Sequence, residues 1–287
     1  MDAHALTHTL GGAWRNGRGQ APCPVCQPER RRDQIALSIS EANGKILLFC
    51  FKRRCSFIEI ANAISLPLDH AGVDVAARSE TERKQAEDAA AKLAKARSLW
   101  DAGKHITGTK AEAYLRGRGI TAALPDSLRF MPDIYHAPSA VWACAMVANV
   151  EPIGGVHRTF LSKKGARLPK SAKLMLGPCA GGAVRLSAAD GPLVVAEGIE
   201  TALSLLSGLL SGPASVWAAL STSGIKALHL PPDPAKLIIA TDGDEPGRDA
   251  GNALATRATA YGWNVSLLPA PDGRDWNDVL CTRGMAA

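Results

Sequence analysis

The stretch KLIIATDGD at residues 236–244 combines an apolar run with two aspartates that are separated by one glycine. A short apolar run that ends in a turn is typical of a buried strand in a parallel sheet. The same pattern occurs before it in LVVAEG at 193–198 and after it in NVSLLPAP at 264–271, with helical segments between the runs. Apolar strands that alternate with helices predict an open, mainly parallel α/β sheet with helices on both faces.

Carboxylates follow each of these predicted strands. Glu197 ends the run at 193–196, and Asp242 and Asp244 follow the run at 236–240. The chemistry of an open parallel sheet collects at the carboxyl ends of its strands, and Mg²⁺ prefers oxygen ligands there. Turn chemistry explains a lone Asp-x-Asp, but three acidic clusters after successive strands favour a metal site. The remaining acidic candidates are Glu200 and, in the segment DGRDWND, Asp272, Asp275 and Asp278.

Four of the seven cysteines lie in two close pairs, CPVC and CFKRRC, within the first 55 residues. Between the pairs, two β-like runs surround Asn43 and Gly44, a dipeptide that is typical of a hairpin turn. Two thiol pairs carried by a small β module can bind one Zn²⁺, and the metal would then hold the module folded. The alternative is four unrelated buried cysteines. The zinc ligands predicted in this way are Cys23, Cys26, Cys50 and Cys55.

The net charge of +6 is distributed unevenly along the chain. Residues 1–100 carry 15 Lys and Arg against 11 Asp and Glu, residues 101–190 carry 12 against 6, and residues 191–287 carry 6 against 10. Two basic thirds before an acidic third indicate a polyanion partner and a separate set of carboxylates. The candidate contacts to nucleotide or DNA phosphates are Arg53, Arg54, Arg158, Lys163, Lys164 and Lys173.

Two further sets are weaker candidates. Phe51 and Phe57 flank the second cysteine pair and could stack on bases, although each could equally belong to a core. Arg116 and Arg118 in YLRGRG could bind phosphate, or the interleaved glycines could mark the end of a helix.

The chain is expected to contain four parts: a zinc module at 10–66, a helical linker at 67–103, a basic part at 104–190 and the α/β domain at 191–283. The linker contains SETERKQAEDAAAKLAKARSLW at 79–100, which predicts a solvated helix. No apolar run is long enough for a membrane span, and the first residues do not have the pattern of a secretion signal. Because no export signal is recognised, a reducing cytoplasm is the expected location, and a disulfide framework is not expected.

Three motifs, EGIET at 197–201, TDGDEPG at 241–247 and DWND at 275–278, together resemble the Toprim domain. Bacterial-type primases, topoisomerases and some nucleases share that domain. The order of cysteine module, helical connector and Toprim domain resembles the primases of phages, plasmids and mobile elements. The segments GTKAEAYLRGRGI, LRFMP and GVHRTFLSKKG also resemble that group. The four-residue gap in CFKRRC departs from the shorter gap that is usual there.

This resemblance implies a DNA primase that makes short RNA primers on single-stranded DNA from ribonucleoside triphosphates. It implies Glu197 as a general base or metal-adjacent acid, and Asp242 and Asp244 as ligands of Mg²⁺ or Mn²⁺. Glu200, Asp275 and Asp278 would shape the site. Asp275 and Asp278 are also expected at the magnesium, as is Glu197, and Zn²⁺ would be structural. The chain has no GxxxxGK[ST] loop, so a separate helicase is the expected partner.

Two other functions remain possible at this point. A Toprim nuclease of the overcoming-lysogenisation type is one, although such nucleases usually come fused to an ATPase. A non-catalytic, zinc-containing adaptor that binds single-stranded DNA is the other, although all the acidic positions are present. A type IA topoisomerase is not expected, because the chain is short and its three tyrosines lie on no large gate domain.

Overall fold

The computed structural model describes residues 2–31, 33–42, 45–66 and 75–284. The chain divides into two compact units, Met1–Arg83 and Lys84–Ala287. No helix within the described ranges is long and apolar enough to cross a membrane.

The first unit is built around a four-stranded antiparallel sheet in the order β1-β2-β3-β4. Its elements are α1 (Ala3–Thr9), β1 (Ala13–Arg15), β2 (Arg18–Ala21), β3 (Leu37–Ala42), β4 (Lys45–Cys50) and α2 (Phe57–Ala63). Ala42 pairs with Lys45, which confirms the predicted hairpin, while its turn, Asn43 and Gly44, lies outside the described residues. One small core joins the sheet to both helices through buried side chains such as Leu6, Leu37 and Ile60.

Helix α3 (Val75–Ala102) contains the predicted helical segment and extends beyond it at both ends. Its composition is rich in Ala, Glu and Lys, which are strong helix formers. The last turns are not a solvated spacer, because Ala96 is fully buried and Leu99 packs beside it against the sheet that follows. Trp100 packs there too, with the Arg129 guanidinium 4.3 Å from the centre of its ring.

The next part of the chain forms a five-stranded antiparallel sheet in the order β5-β6-β7-β8-β9. Its elements are β5 (Lys104–His105), α4 (Lys110–Arg116), β6 (Leu128–His136), β7 (Val141–Val150), β8 (Gly155–Leu161) and β9 (Lys173–Leu176). Successive side chains of a strand point to opposite faces. Accordingly Cys144 and Met146 pack in the same core as helix α4, whereas Ala145 and Phe160 pack with helix α3. These two sides are called the α4 face and the α3 face below.

The C-terminal sheet has the order β10-β12-β11-β13-β14. Its elements are β10 (Val184–Arg185), β11 (Leu193–Ala196), α5 (Ile199–Ser204), β12 (Ser215–Ala218), α6 (Thr222–Ala227), β13 (Lys236–Ala240), α7 (Glu245–Ala260), β14 (Asn264–Leu267) and α8 (Trp276–Gly284). Strands β12, β11, β13 and β14 are parallel to one another, and β10 pairs with β12 as an antiparallel edge strand.

Both faces of this sheet carry helices, as the sequence predicted. Val194 and Ala196 of β11 share a core with Leu203 of α5 and Leu280 of α8. Leu193 and Val195, the alternate residues, share the other core with α6 and α7. Helix α8, which begins in the third acidic cluster, was not predicted from the sequence pattern. Neither was the edge strand β10, which lies in the segment that was assigned to the basic part at 104–190.

Candidate active site and zinc centre

The two cysteine pairs converge at one point of the first unit. The sulfur atoms of Cys23, Cys26, Cys50 and Cys55 all lie within 4.8 Å of one another. Sγ of Cys26 is 3.5 Å from Sγ of Cys50. In a tetrahedral zinc site with bonds of about 2.3 Å, the sulfurs are roughly 3.8 Å apart. The four-residue gap before Cys55 therefore still allows all four thiols to reach one ion.

The protonation of these thiols also fits a metal. Burial opposes ionisation of Cys50, but backbone N–H groups of Arg53 and Cys55 donate to its sulfur and lower its pKa to about 6. Burial and the neighbouring thiols raise the pKa of Cys26. Packed thiols thus cannot all ionise without a cation, and Zn²⁺ binds them as thiolates.

Around this cluster, the predicted nucleic-acid contacts differ in exposure. Arg53 and Arg54 are exposed in the turn after β4. Phe51 is exposed and its ring lies 4.8 Å from that of Phe49, whereas Phe57 packs against the core of the unit.

In the second unit, the acidic residues collect at one edge of the parallel sheet. Ala196 of β11 pairs with Ala240 of β13, so Glu197 and Asp242 leave adjacent strands at the same edge. Burial, and then the charges of Asp242 and Asp244, raise the pKa of Glu197 to about 7. Burial, and then Asp275 and Asp244, raise the pKa of Asp242 to about 6. Four carboxylates predicted from the sequence are therefore close enough to repel one another.

Two backbone hydrogen bonds bring the third acidic cluster to the second. Gly243 N–H donates to the Arg274 carbonyl at 2.8 Å, and Gly273 N–H donates to the Gly243 carbonyl at 2.9 Å. The approach requires glycine, because a Cβ at position 243 would lie 2.0 Å from the Pro271 carbonyl oxygen. This loop contact is what brings Asp275 to the edge of the sheet.

Asp244 and Asp278 also have local structural roles. Asp244 Oδ1 accepts from Gly247 N–H at 2.7 Å and caps α7. Asp275 and Asp278 each accept from the other's backbone N–H at the start of α8. Asp278 and Asp244 are exposed, and Asp275 is half-buried.

One carboxylate atom in this cluster is unsatisfied. Asp242 Oδ1 is buried without a hydrogen-bond partner among the described residues. A buried polar atom without a partner is costly unless a ligand completes it. Among the described residues, the four thiols form a group close enough to hold an ion and the carboxylates do not. Mg²⁺ does not require such a group, since this ion binds through one or two carboxylates and keeps several waters.

Glu200 lies beneath this edge and is not available to a metal. Its Oε2 accepts from Lys173 Nζ at 2.8 Å, and its Oε1 accepts from the Tyr114 hydroxyl at 2.9 Å. Burial opposes its ionisation, but the charge and hydrogen bond of Lys173 hold the pKa of Glu200 well below its usual range. Lys173 also lowers the pKa of Glu197 and of Asp242, so its charge reaches the carboxylates at the edge.

Sequence reasoning assigned two residues of this network no role beside the carboxylates. Tyr114 lies within the segment GTKAEAYLRGRGI, but it was assigned no role there, since a tyrosine on a helix is usually a core residue. His157 is buried, and burial lowers its pKa to about 4, so the imidazole is neutral beside Glu200 and Lys173. Its only signal was its place before Arg158 in a basic stretch.

The other predicted basic residues do not gather at the acidic edge. Arg158 donates to the Met175 carbonyl at 3.0 Å and lies over the Phe160 ring, on the α3 face. Lys173 is on the opposite face, so the position of Arg158 does not favour contact with a nucleotide there. Lys163 pairs with Asp133. The Lys164 ammonium is exposed and has no partner in the described ranges.

Arg116 closes the end of helix α4. It pairs with Glu112 and donates to the carbonyls of Ile120 and Ala122, and Gly117 is the C-cap. Of the two interpretations of YLRGRG, the structure supports the helix end for Arg116.

Comparison with known families identifies the C-terminal domain. A family profile described as a Toprim domain matches residues 192–286, and the fold there is the mainly parallel sheet described above. The C-terminal third of the chain is therefore a Toprim domain. A second profile, described as a domain of unknown function (DUF7146), matches residues 90–186.

Among solved structures, three primases are similar to this chain at low identity. A DNA primase domain from Pseudomonas aeruginosa has a TM-score of 0.42 and 16% identity, over 67% of this chain and 74% of that one. The zinc-binding and RNA polymerase domains of the Aquifex aeolicus primase have a TM-score of 0.43 and 15% identity, over 100% and 81%. The primase fragment of the bacteriophage T7 primase-helicase has a TM-score of 0.33 and 16% identity, over 50% and 63%. No curated protein sequence matches the chain.

Proposed function

We propose that this protein is a DNA primase that synthesises short RNA primers on single-stranded DNA by metal-dependent nucleotidyl transfer. The observation that carries the proposal is the acidic edge of the Toprim domain. There Asp242 has a buried oxygen without a partner among the described residues, and burial, together with repulsion among the carboxylates, raises the pKa of Glu197 and Asp242. Such a site is incomplete without cations, and a nucleoside triphosphate arrives with cations bound.

The residues at this acidic edge would have different roles. Asp242, Asp244 and Asp275 would hold Mg²⁺ or Mn²⁺, which when bound neutralises triphosphate charge and lowers the proton affinity of a 3′-hydroxyl. Glu197, with a pKa of about 7, is suited to accept that proton at neutral pH. Lys173 keeps a fixed positive charge beside the carboxylates, anchored by Glu200. Its ammonium would orient the phosphates of the incoming nucleotide.

The first unit would contribute to binding of the template. The four cysteines would hold a structural Zn²⁺, and the exposed Arg53 and Arg54 would meet DNA phosphates. Unwinding of the duplex would come from a helicase on a separate chain.

The test is primer synthesis by the full chain. The protein is incubated with single-stranded DNA, Mg²⁺ or Mn²⁺ and labelled ribonucleoside triphosphates. We expect template-dependent oligomers that are lost, by about a hundredfold or more, in Asp242→Asn, as when a group that stabilises the transition state is removed. Asp249→Asn is the matched control, since Asp249 is an exposed carboxylate on the neighbouring helix α7.

Other outcomes would replace this proposal. Degradation of the template without synthesis, also lost in Asp242→Asn, would indicate a Toprim nuclease. Binding of single-stranded DNA that is unchanged in Asp242→Asn, with neither synthesis nor degradation, would indicate a non-catalytic adaptor.

A further inference from the structure

Two large aromatic side chains are exposed together at the end of the β6–β7 hairpin. Tyr135 and Trp142 lie directly opposite each other in the register, with ring centroids 5.7 Å apart in an edge-to-face arrangement. Trp142 is 63% exposed and Tyr135 is 49% exposed. Aromatic pairs usually bury their rings, so two exposed rings in contact are a candidate interaction surface.

The strand register places this pair on the same face as Lys173. Trp142 alternates with Cys144 and Met146 along β7 and therefore lies on the α4 face. Thr159 pairs with Met146 on one side and with Lys173 on the other, so Lys173 also belongs to the α4 face. With strands about 4.8 Å apart and a rise of about 3.3 Å per residue, the aromatic pair lies about 16 Å from Lys173.

Lysines flank the aromatic pair. Lys163 lies in the turn after β8, and its ammonium pairs with Asp133 of β6, two residues before Tyr135. Lys163 donates to the Pro132 carbonyl on β6, and Lys110 donates to the Lys163 carbonyl. Lys164 is next in the chain. Asp133, which pairs with Lys163, offsets one charge, so the surroundings of the rings remain positive.

We propose that Tyr135 and Trp142 form a stacking platform for a base of single-stranded DNA, with Lys164 binding an adjacent phosphate. Exposed rings beside ammonium groups are the arrangement by which proteins hold single strands, since every base has a stacking face and every nucleotide a phosphate. The inference rests on the proposed function in one respect: it takes the bound single strand to be the template for primer synthesis.

The test compares two oligonucleotides that differ only in their bases. Binding of the full chain to labelled (dT)20 and to an abasic strand of the same length is followed by fluorescence anisotropy. We expect Trp142→Ala to weaken (dT)20 binding about fivefold or more, as removal of one stacked base contact does, and to leave the abasic strand unchanged. Lys164→Ala should weaken both strands equally and reduce the slope of log K against log salt by about 0.7.

Controls separate stacking from loss of structure. Trp142→Phe keeps an aromatic face and should retain most of the (dT)20 affinity. Tyr261→Ala removes an aromatic ring that is 68% exposed at the end of α7, and it should change neither affinity.

Two results distinguish this inference from the proposed function. If Trp142→Ala binds both strands as the unsubstituted protein does, the platform is not a DNA surface and the inference fails, whatever primer synthesis shows. If the unsubstituted protein makes no primers but Trp142→Ala selectively loses (dT)20 binding, the primase proposal fails and the platform stands.

Discussion

Lys173 Nζ lies 2.8 Å from Glu200 Oε2, and this ion pair joins strand β9 to the first turn of the Toprim helix α5. The two partners differ greatly in exposure, with side-chain values of 39% for Lys173 and 5% for Glu200. The loss of stability should therefore depend on which of the two residues, Lys173 or Glu200, is replaced.

We expect Lys173→Met to destabilise the protein more than Glu200→Gln. Lys173→Met leaves a buried carboxylate without its counter-ion, which costs about 3–5 kcal/mol, whereas an ammonium freed by Glu200→Gln can turn to water. Urea unfolding of both variants measures the difference. The double variant should recover part of the stability of Lys173→Met but not primer synthesis. Equal losses in the single variants would contradict the asymmetry.

The raised pKa values of Glu197 and Asp242 predict a pH dependence of stability in buffer without added divalent cations. Their ordinary values are 4.5 and 3.8, so the folded state binds these protons more tightly than the unfolded state. The stability that this binding provides is complete below about pH 4 and is lost as the pH rises through 6 and 7. Glu200 has a lowered pKa, so its protonation affects the stability only below pH 4.5 and does not contribute to the change around pH 6 and 7.

Compared with the unsubstituted protein, Asp242→Asn should therefore have a higher free energy of unfolding at pH 8, and this gain should be smaller at pH 5. A shift of about 2 pKa units corresponds to about 3 kcal/mol, which partial exposure reduces to about 1 kcal/mol. Added Mg²⁺ should stabilise the unsubstituted protein at pH 8 and leave the variant unchanged. An effect of Asp242→Asn that is the same at both pH values would show that burial and the neighbouring carboxylates do not raise the pKa of Asp242.

Gly243→Ala should disrupt the contact between the two acidic loops. Its Cβ would lie 2.0 Å from the Pro271 carbonyl oxygen, and backbone must move to make room. We expect a loss of about 2 kcal/mol in urea unfolding, as overpacking causes, together with loss of activity. Gly212→Ala is the control, because a Cβ at that position has nothing within 4 Å and the change should stay within about 0.5 kcal/mol. Full activity in Gly243→Ala would mean that Asp275 does not need this loop contact.

Cys26→Ser should abolish zinc binding and loosen the first unit. The elemental zinc content should fall from one per chain to less than one tenth, because thiolate ligands supply most of the affinity of such a site. Limited proteolysis should then cleave within residues 1–83 while residues 84–287 stay resistant. Cys281→Ser, a free thiol outside the cluster, should keep its zinc. Unchanged zinc content in Cys26→Ser would refute the four-thiol site.

The sequence alone determined the features that depend on local pattern. Paired cysteines, apolar runs that alternate with helices, and carboxylates at the ends of strands are readable because each is encoded within a few neighbouring residues. The mainly parallel sheet with helices on both faces, and the convergence of four thiols, followed from these patterns.

Only the tertiary structure decided which side chains meet across the chain. Glu200 was predicted to shape the site, but its partners were not predictable: it accepts from Lys173, 27 residues away, and from Tyr114, 86 residues away. Arg158 and Lys173 come from one basic stretch, yet they lie on opposite faces of the sheet. The reason is that the face of a side chain depends on strand register, which is set by pairing between distant segments. No local period in the sequence records that pairing.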